Sequence, residues 1–221
     1  MIGQPERVTQ NRIVKLFRED LKYQYLGNWE YRNNHNIEET YLRSFLEKKG
    51  NPKILIDRAI DKLKSVANNP NESLYTNNQN TYSLLRYGIP VKENAGDNNT
   101  TIHLIDWKYP EENDFAIAEE VTVLRKREKR PDLVIYLNGI AIGILELKRS
   151  SISIGEGIRQ NITNQQKEFI QSFFSTIQFV FAGNDSEGLR YGTIGTGEKY
   201  FLNWKEGESD EGMYQVDKYL T

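Results

Sequence analysis

The 221-residue sequence contains no cysteine. Disulfides, thiolate metal sites and cysteine nucleophiles are therefore excluded. Histidine is nearly as scarce. His35 and His103 lie far apart, and neither has a partner at metal-ligand spacing, so both read as ordinary loop or strand residues. Long apolar runs are missing too: none approaches the roughly 18–20 residues that cross a bilayer. The N-terminus is polar from Gln4 on and shows no signal peptide, so a cytoplasmic protein with no membrane partner is expected. Nor is positive charge in excess. The formal net charge is −2, whereas a dedicated nucleic-acid binder is usually basic; any basic surface must be local. A phosphate loop is also lacking. Gly192 to Lys199 (G-T-I-G-T-G-E-K) comes near, but its lysine does not directly follow the second glycine and no Ser or Thr comes next.

A hydrophobic share of 38% and a charged share of 27% suit a soluble domain with a real core and an extensive polar surface. The length allows one large domain or one and a half. Apolar spacing predicts helices over 8–25, 37–49 and 52–66, with Thr9 and Asn36 as N-caps. The Asn-rich stretch 68–80 reads as a loop, followed by one helical turn over 82–87. After Pro90 the pattern turns to strands: 101–105, 114–124, a hairpin within 130–150, then 176–182 and a second hairpin over 188–196 and 199–204. One helix, 155–172, interrupts them. The order predicts an α/β fold, a mixed sheet flanked by helices. Residues 1–205 form one domain, mainly helical over 1–90 and a sheet core over 100–205, and 206–221 is a charged tail or linker.

The chemistry concentrates in the first hairpin, R-P-D-L-V-I-Y-L-N-G-I-A-I-G-I-L-E-L-K-R-S from Arg130 to Ser150. Asp132, Glu146 and Lys148 interrupt two aliphatic strands, and polar groups in such runs weaken a strand unless something uses them. Glu146 and Lys148, two apart, share a face. Register decides whether Asp132 joins them. Asn138-Gly139 is a strong hairpin-turn signal, and with a two-residue loop there Asp132 faces Leu145. A three-residue loop, Asn138 to Ile140, or a bulge near Pro131 puts it opposite Glu146, and one of these is expected. Two carboxylates a few ångströms apart repel unless a cation sits between them. Asp132, Glu146 and the Leu147 carbonyl would be hard oxygen ligands for Mg²⁺, with Mn²⁺ as a substitute. Lys148 can orient a water and stabilise developing negative charge. The bland alternative is a buried Glu–Lys pair. Lys126, Arg127, Lys129 and Arg130 lead into Asp132, and Arg149 follows Lys148; in the functional reading they touch the backbone of double-stranded DNA, and otherwise they form a solvated loop.

P-D, thirteen residues, then E-L-K resembles the active-site motif of the PD-(D/E)xK nuclease superfamily. The surrounding text is closer still to the N-terminal endonuclease domain of type I restriction enzyme R subunits (HsdR). N-R-I-V-K-L-F and Y-Q-Y-L-G-N-W between Asn11 and Trp29, N-I-E-E-T-Y-L from Asn36, L-L-R-Y-G-I-P-V from Leu84, N-D-F-A-I-A-E-E-V-T-V from Asn113 and F-V-F-A-G-N-D from Phe179 all fit. The resemblance implies a restriction-endonuclease-like fold, with Asp132, Glu146 and Lys148 as the catalytic triplet. It also implies a Q-x-x-x-Y element on the next helix. Gln160 matches its glutamine as a supporting residue, while Asn164 stands where the tyrosine would be. Superfamily members often add an acidic residue from an early helix, for which Glu19, Glu38 and Glu39 are candidates. Further implied are ATP use by a motor part that this chain lacks, and methylation and specificity subunits as partners of the full-length protein. The alternative from another class is a catalytically silent module that uses the fold to dock on DNA or subunits.

Overall fold

The computed structural model describes residues 6–125 and 127–205; residues 1–5, Lys126 and 206–221, with the tail or linker expected there, lie outside the described residues. A seven-stranded mixed sheet organises the chain, as the restriction-endonuclease-like expectation requires. Its order is β1 (Gln24–Asn28), β4 (Phe115–Glu119), β5 (Leu133–Leu137), β6 (Ile140–Leu147), β7 (Phe179–Asn184), β8 (Gly188–Gly192) and β9 (Leu202–Asn203). A small ribbon pairs β2 (Ile89–Val91) with β3 (Thr100–Ile102). The helices are α1 (Glu6–Lys15), α2 (Glu39–Lys48), α3 (Lys53–Ala67), α4 (Leu74–Tyr87) and α5 (Ile154–Asn164).

The aliphatic run of β6 is explained by its place. It is central, paired antiparallel to β5 and parallel to β7, and nearly every side chain is buried, so no polar alternation is needed. On one face, Val134, Tyr136, Ile144, Val180 and Ala182 pack against Ile154 and Ile158 of α5 and against Phe173 and Phe174. On the other, Ile117, Leu133, Leu145 and Leu147 pack against Val14 of α1. A separate cluster joins α2 and α3 to the ribbon and to the turn end of β5 and β6. In α3, Leu55, Ile56, Ala59, Ile60, Leu63 and Ala67 form its buried stripe.

Several elements depart from expectation. The 8–25 helix stops early: α1 passes into a π-helical turn, Leu16–Asp20, and Gln24–Asn28 becomes strand β1, parallel to β4 at the sheet edge. Its partner is some ninety residues downstream, and such non-local pairing leaves no local pattern. The expected 68–80 loop is helical from Leu74. Asn78 is buried there and donates to the carbonyls of Phe174, Ser175 and Ile177, so tertiary hydrogen bonds override a poor helix propensity. Gly88, at φ +79, ends α4. The 114–124 strand ends at Glu119, because Glu120 takes φ +51. The 155–172 helix ends at Asn164, the strand expected at 176–182 runs from Phe179 to Asn184, and the last strand has two residues behind the 3-10 turn Glu198–Tyr200.

The hairpin register follows neither expected route. Leu137 pairs with Ile140, so the loop has two residues, Asn138 and Gly139, both at positive φ; this is the mirror-image turn that matches strand twist. The Asn138 side chain anchors it by donating to the Leu104 carbonyl and accepting from the Asp114 amide. The pairs Tyr136–Ala141 and Ile135–Gly143 then leave Ile142 as a surplus residue. This bulge lies in β6, not near Pro131. The Ile142 carbonyl accepts from the Gln178 amide. Beyond it Leu133 faces Leu145, and the next rung sets Asp132 across from Glu146.

Candidate active site

Asp132 enters β5 and Glu146 lies near the end of β6, so the bulged register brings both to one end of the sheet. Asp132 Oδ2 accepts the Leu147 amide at 2.6 Å. Glu146 is fully buried on the α5 side, where Gln160 Nε2 donates to its Oε2 at 2.6 Å. α5 comes this close because position 157 is glycine: a Cβ there would sit 3.2 Å from the Ala182 Cβ and 3.6 Å from the Glu146 Cβ. The other oxygen, Glu146 Oε1, is buried with no hydrogen-bond partner among the described residues. The Asp132 carboxyl is near enough for its charge to act on Glu146.

This arrangement is electrostatically costly. Burial pushes the Asp132 carboxyl up to about 6, against lowering by the Leu147 amide and Lys148. Burial raises the Glu146 carboxyl well above the usual carboxylate range, and the neighbouring Asp132 charge adds to it. Lys148, largely buried, turns its Nζ to the Leu147 carbonyl at 3.0 Å and lies 3.6 Å from Glu6 Oε1.

A divalent cation fits this donor set. An orphaned buried carboxylate oxygen and a second carboxyl within reach are what a cation would satisfy. Among the described residues no group of three or more His, Cys, Asp or Glu is arranged for a metal, so the protein ligands would be two carboxylates and a main-chain oxygen. Such a sparse set suits Mg²⁺, which keeps waters and takes substrate phosphate oxygens. The Leu147 carbonyl is engaged by Lys148.

Comparisons with known proteins identify the family. A family model described as type I restriction enzyme R protein N terminus matches residues 3–199. The chain belongs to that family. A relative from Methanocaldococcus jannaschii, a putative type I restriction enzyme MjaIXP endonuclease subunit, is 26% identical over 96% of this chain and 22% of its own length. The type I restriction enzyme SsaAORF53P endonuclease subunit of Staphylococcus saprophyticus is 28% identical over 58% of this chain and 14% of its own. The SauCOLORF180P subunit of Staphylococcus aureus is 29% identical over 48% and 12%. The chain thus spans about a fifth or less of the relatives it matches. No helix among the described residues is long and apolar enough to cross a membrane.

The other residues expected at the site are placed unevenly. The early acidic candidates are elsewhere: Glu19 pairs with Lys15, Glu38 with Arg32, and Glu39 with Arg43 and Lys64. The acid that reaches the site is Glu6 of α1, beside Lys148. Gln10 of α1 also reaches it, donating to the Asp132 carbonyl at 3.4 Å and to Glu119 and Glu120 at 3.1 Å. Neither carries a spacing signal in sequence; a helix docked across a sheet end shows itself only in three dimensions. Asn164 is buried and makes no side-chain hydrogen bond among the described residues, so only Gln160 of that element touches the carboxylates. The basic residues divide as well. Lys129 and Arg127 lie over the Phe169 ring, at 4.4 and 5.6 Å. Arg130 is tied to Glu30 and Glu120. Arg149 is exposed, and Lys126 is outside the described residues.

Proposed function

We propose that the domain is the Mg²⁺-dependent DNA endonuclease of a type I restriction enzyme R subunit, of the PD-(D/E)xK class. Asp132, Glu146 and Lys148 are its catalytic residues, with Mn²⁺ able to replace Mg²⁺. One observation carries the reading: the register set by a bulge at Ile142 puts Asp132 across from Glu146, whose buried Oε1 has no hydrogen-bond partner among the described residues. A structural Glu–Lys pair would not leave that oxygen bare.

Asp132, Glu146 and the Leu147 carbonyl would hold the cation. When bound, it would lower the pKa of a coordinated water and neutralise charge on the phosphate. Gln160 fixes the Glu146 carboxylate through Oε2, leaving Oε1 for the cation. Lys148 has donors beyond the one given to Leu147; these orient the attacking water and stabilise charge on the phosphoryl oxygens. The water oxygen bonds to phosphorus, the bond to the leaving sugar oxygen breaks, and that oxygen takes up a proton. Arg127, Lys129 and Arg149 contact the backbone of double-stranded DNA without reading bases. In the longer protein, an ATP-driven motor and methylation and specificity subunits deliver the DNA.

The test is nicking of supercoiled plasmid with Mg²⁺ by the intact complex carrying Asp132→Ala or Lys148→Ala. Cleavage falls to background while DNA binding and ATP use persist. Retained cleavage in either variant refutes the assignment.

A further inference from the structure

A second concave site lies at the other end of the hairpin. Six residues separate Asp132 from Asn138, roughly 20 Å along a strand, and Asn138 is bonded to Leu104 at the edge of this region. The cavity measures about 620 Å³, within the range of small-ligand sites. The C-terminal ends of α2 and α4 line it, with the segment that follows β3.

Its walls combine aromatic faces with cations. Trp107 and Tyr87 are 47% and 72% exposed, so their faces are open to a ligand. The Trp107 indole is fixed, because its Nε1 donates to the Leu85 carbonyl at 2.9 Å. The Arg86 guanidinium lies 5.0 Å from the centre of that ring. Lys49, Arg86 and Lys108 line the cavity with one carboxylate, Asp106; Lys49 is engaged by Asp106 at 2.8 Å and lies 3.8 Å from Glu112, which leaves Arg86 and Lys108 as the cations in excess. Arg86 has no carboxylate partner among the described residues. A local excess of cations on a chain of net charge −2 calls for an anion, and exposed rings beside it call for a flat aromatic group.

We infer that this cavity binds an unpaired nucleobase bearing a phosphate, with the base on Trp107 or Tyr87 and the phosphate on Arg86 and Lys108. The ligand is a free nucleotide or a nucleotide of a single DNA strand. A duplex does not meet the requirement, since its base faces are covered by stacking. The inference stands apart from the nuclease reading: none of its residues touches Asp132, Glu146 or Lys148.

The test uses the whole chain without divalent metal, so that cleavage plays no part. A fluorescein-labelled oligothymidylate of roughly 12 nucleotides, inside the usual site-size range, is titrated by anisotropy. Unlabelled oligothymidylate, adenosine monophosphate, adenosine and a blunt duplex are then used as competitors. Saturable binding is expected, weakened roughly 10-fold by Arg86→Gln and by Trp107→Leu and unchanged by Glu146→Gln. Adenosine and the duplex compete poorly. Competition by the monophosphate marks a free-nucleotide site; competition by the single strand alone marks a strand site. Arg86 is exposed, so its variant keeps the fold and decides the matter if Trp107→Leu does not. Absence of saturable binding, full binding by Arg86→Gln, or equal competition by the duplex overturns the inference.

Discussion

Replacing Asp132 with asparagine should stabilise the metal-free protein. The Asp132 carboxyl is pushed from an ordinary 3.8 up to about 6, mainly by burial. The folded state therefore holds this proton more tightly than the unfolded chain does. Stability contributed by the group is fully present below about pH 4 and is lost as pH rises towards about 6. Asparagine resembles the protonated form and escapes that loss. At about 1.36 kcal/mol per pKa unit, the loss levels off near 3 kcal/mol above pH 6. For a domain of this size that corresponds to roughly 6–12 °C in melting temperature. The assay is thermal unfolding in EDTA at about pH 4, 5.5 and 7.5, values that bracket the two pKa values. The variant and the parent should melt together at the lowest pH and separate progressively above it. Saturating Mn²⁺ should then raise the parent and leave the variant nearly unmoved. A variant equal to or less stable than the parent at neutral pH, or a difference that does not change with pH, would refute the reasoning.

Two further outcomes follow from the geometry around this pair. Deleting Ile142 leaves Tyr136–Ala141 and Ile135–Gly143 as consecutive rungs, so Asp132 still opposes Glu146; plasmid cleavage by the intact complex should survive, whereas one alanine inserted between Gly143 and Ile144 turns Glu146 to the opposite face and should abolish it. Gln160→Ala removes the donor to Glu146 Oε2 and should weaken Mn²⁺ binding by roughly 10–100-fold, as for other outer-shell partners, measured by calorimetry.

Local patterns carried the reading well where structure is local. The buried stripe of α3, the position of the hairpin bend at Asn138-Gly139 and the two-residue spacing of Glu146 and Lys148 were legible, whereas the loop length and the place of the bulge were not. Failures came where distant chain decides. β1 exists because β4 lies beside it, and α4 begins at Leu74 because Asn78 finds three carbonyls some hundred residues away. At the bulge the Gln178 amide donates to the Ile142 carbonyl, a contact from distant chain that no hairpin rule contains. Of the site, Asp132, Glu146 and Gln160 were named from sequence and are found together. Glu6 was not, since only the docking of α1 across the sheet end brings it beside Lys148, while Glu19, Glu38 and Glu39 are paired with other cations.

The central claim is that Asp132 and Glu146 form one cation site. Calorimetric titration of the whole chain with Mn²⁺ at neutral pH tests it most directly, with Glu146→Gln as the comparison. One saturable site in the parent, lost in the variant while far-UV dichroism and the melting transition persist, is the predicted result. An unchanged isotherm in Glu146→Gln, or no binding by the parent, would contradict it.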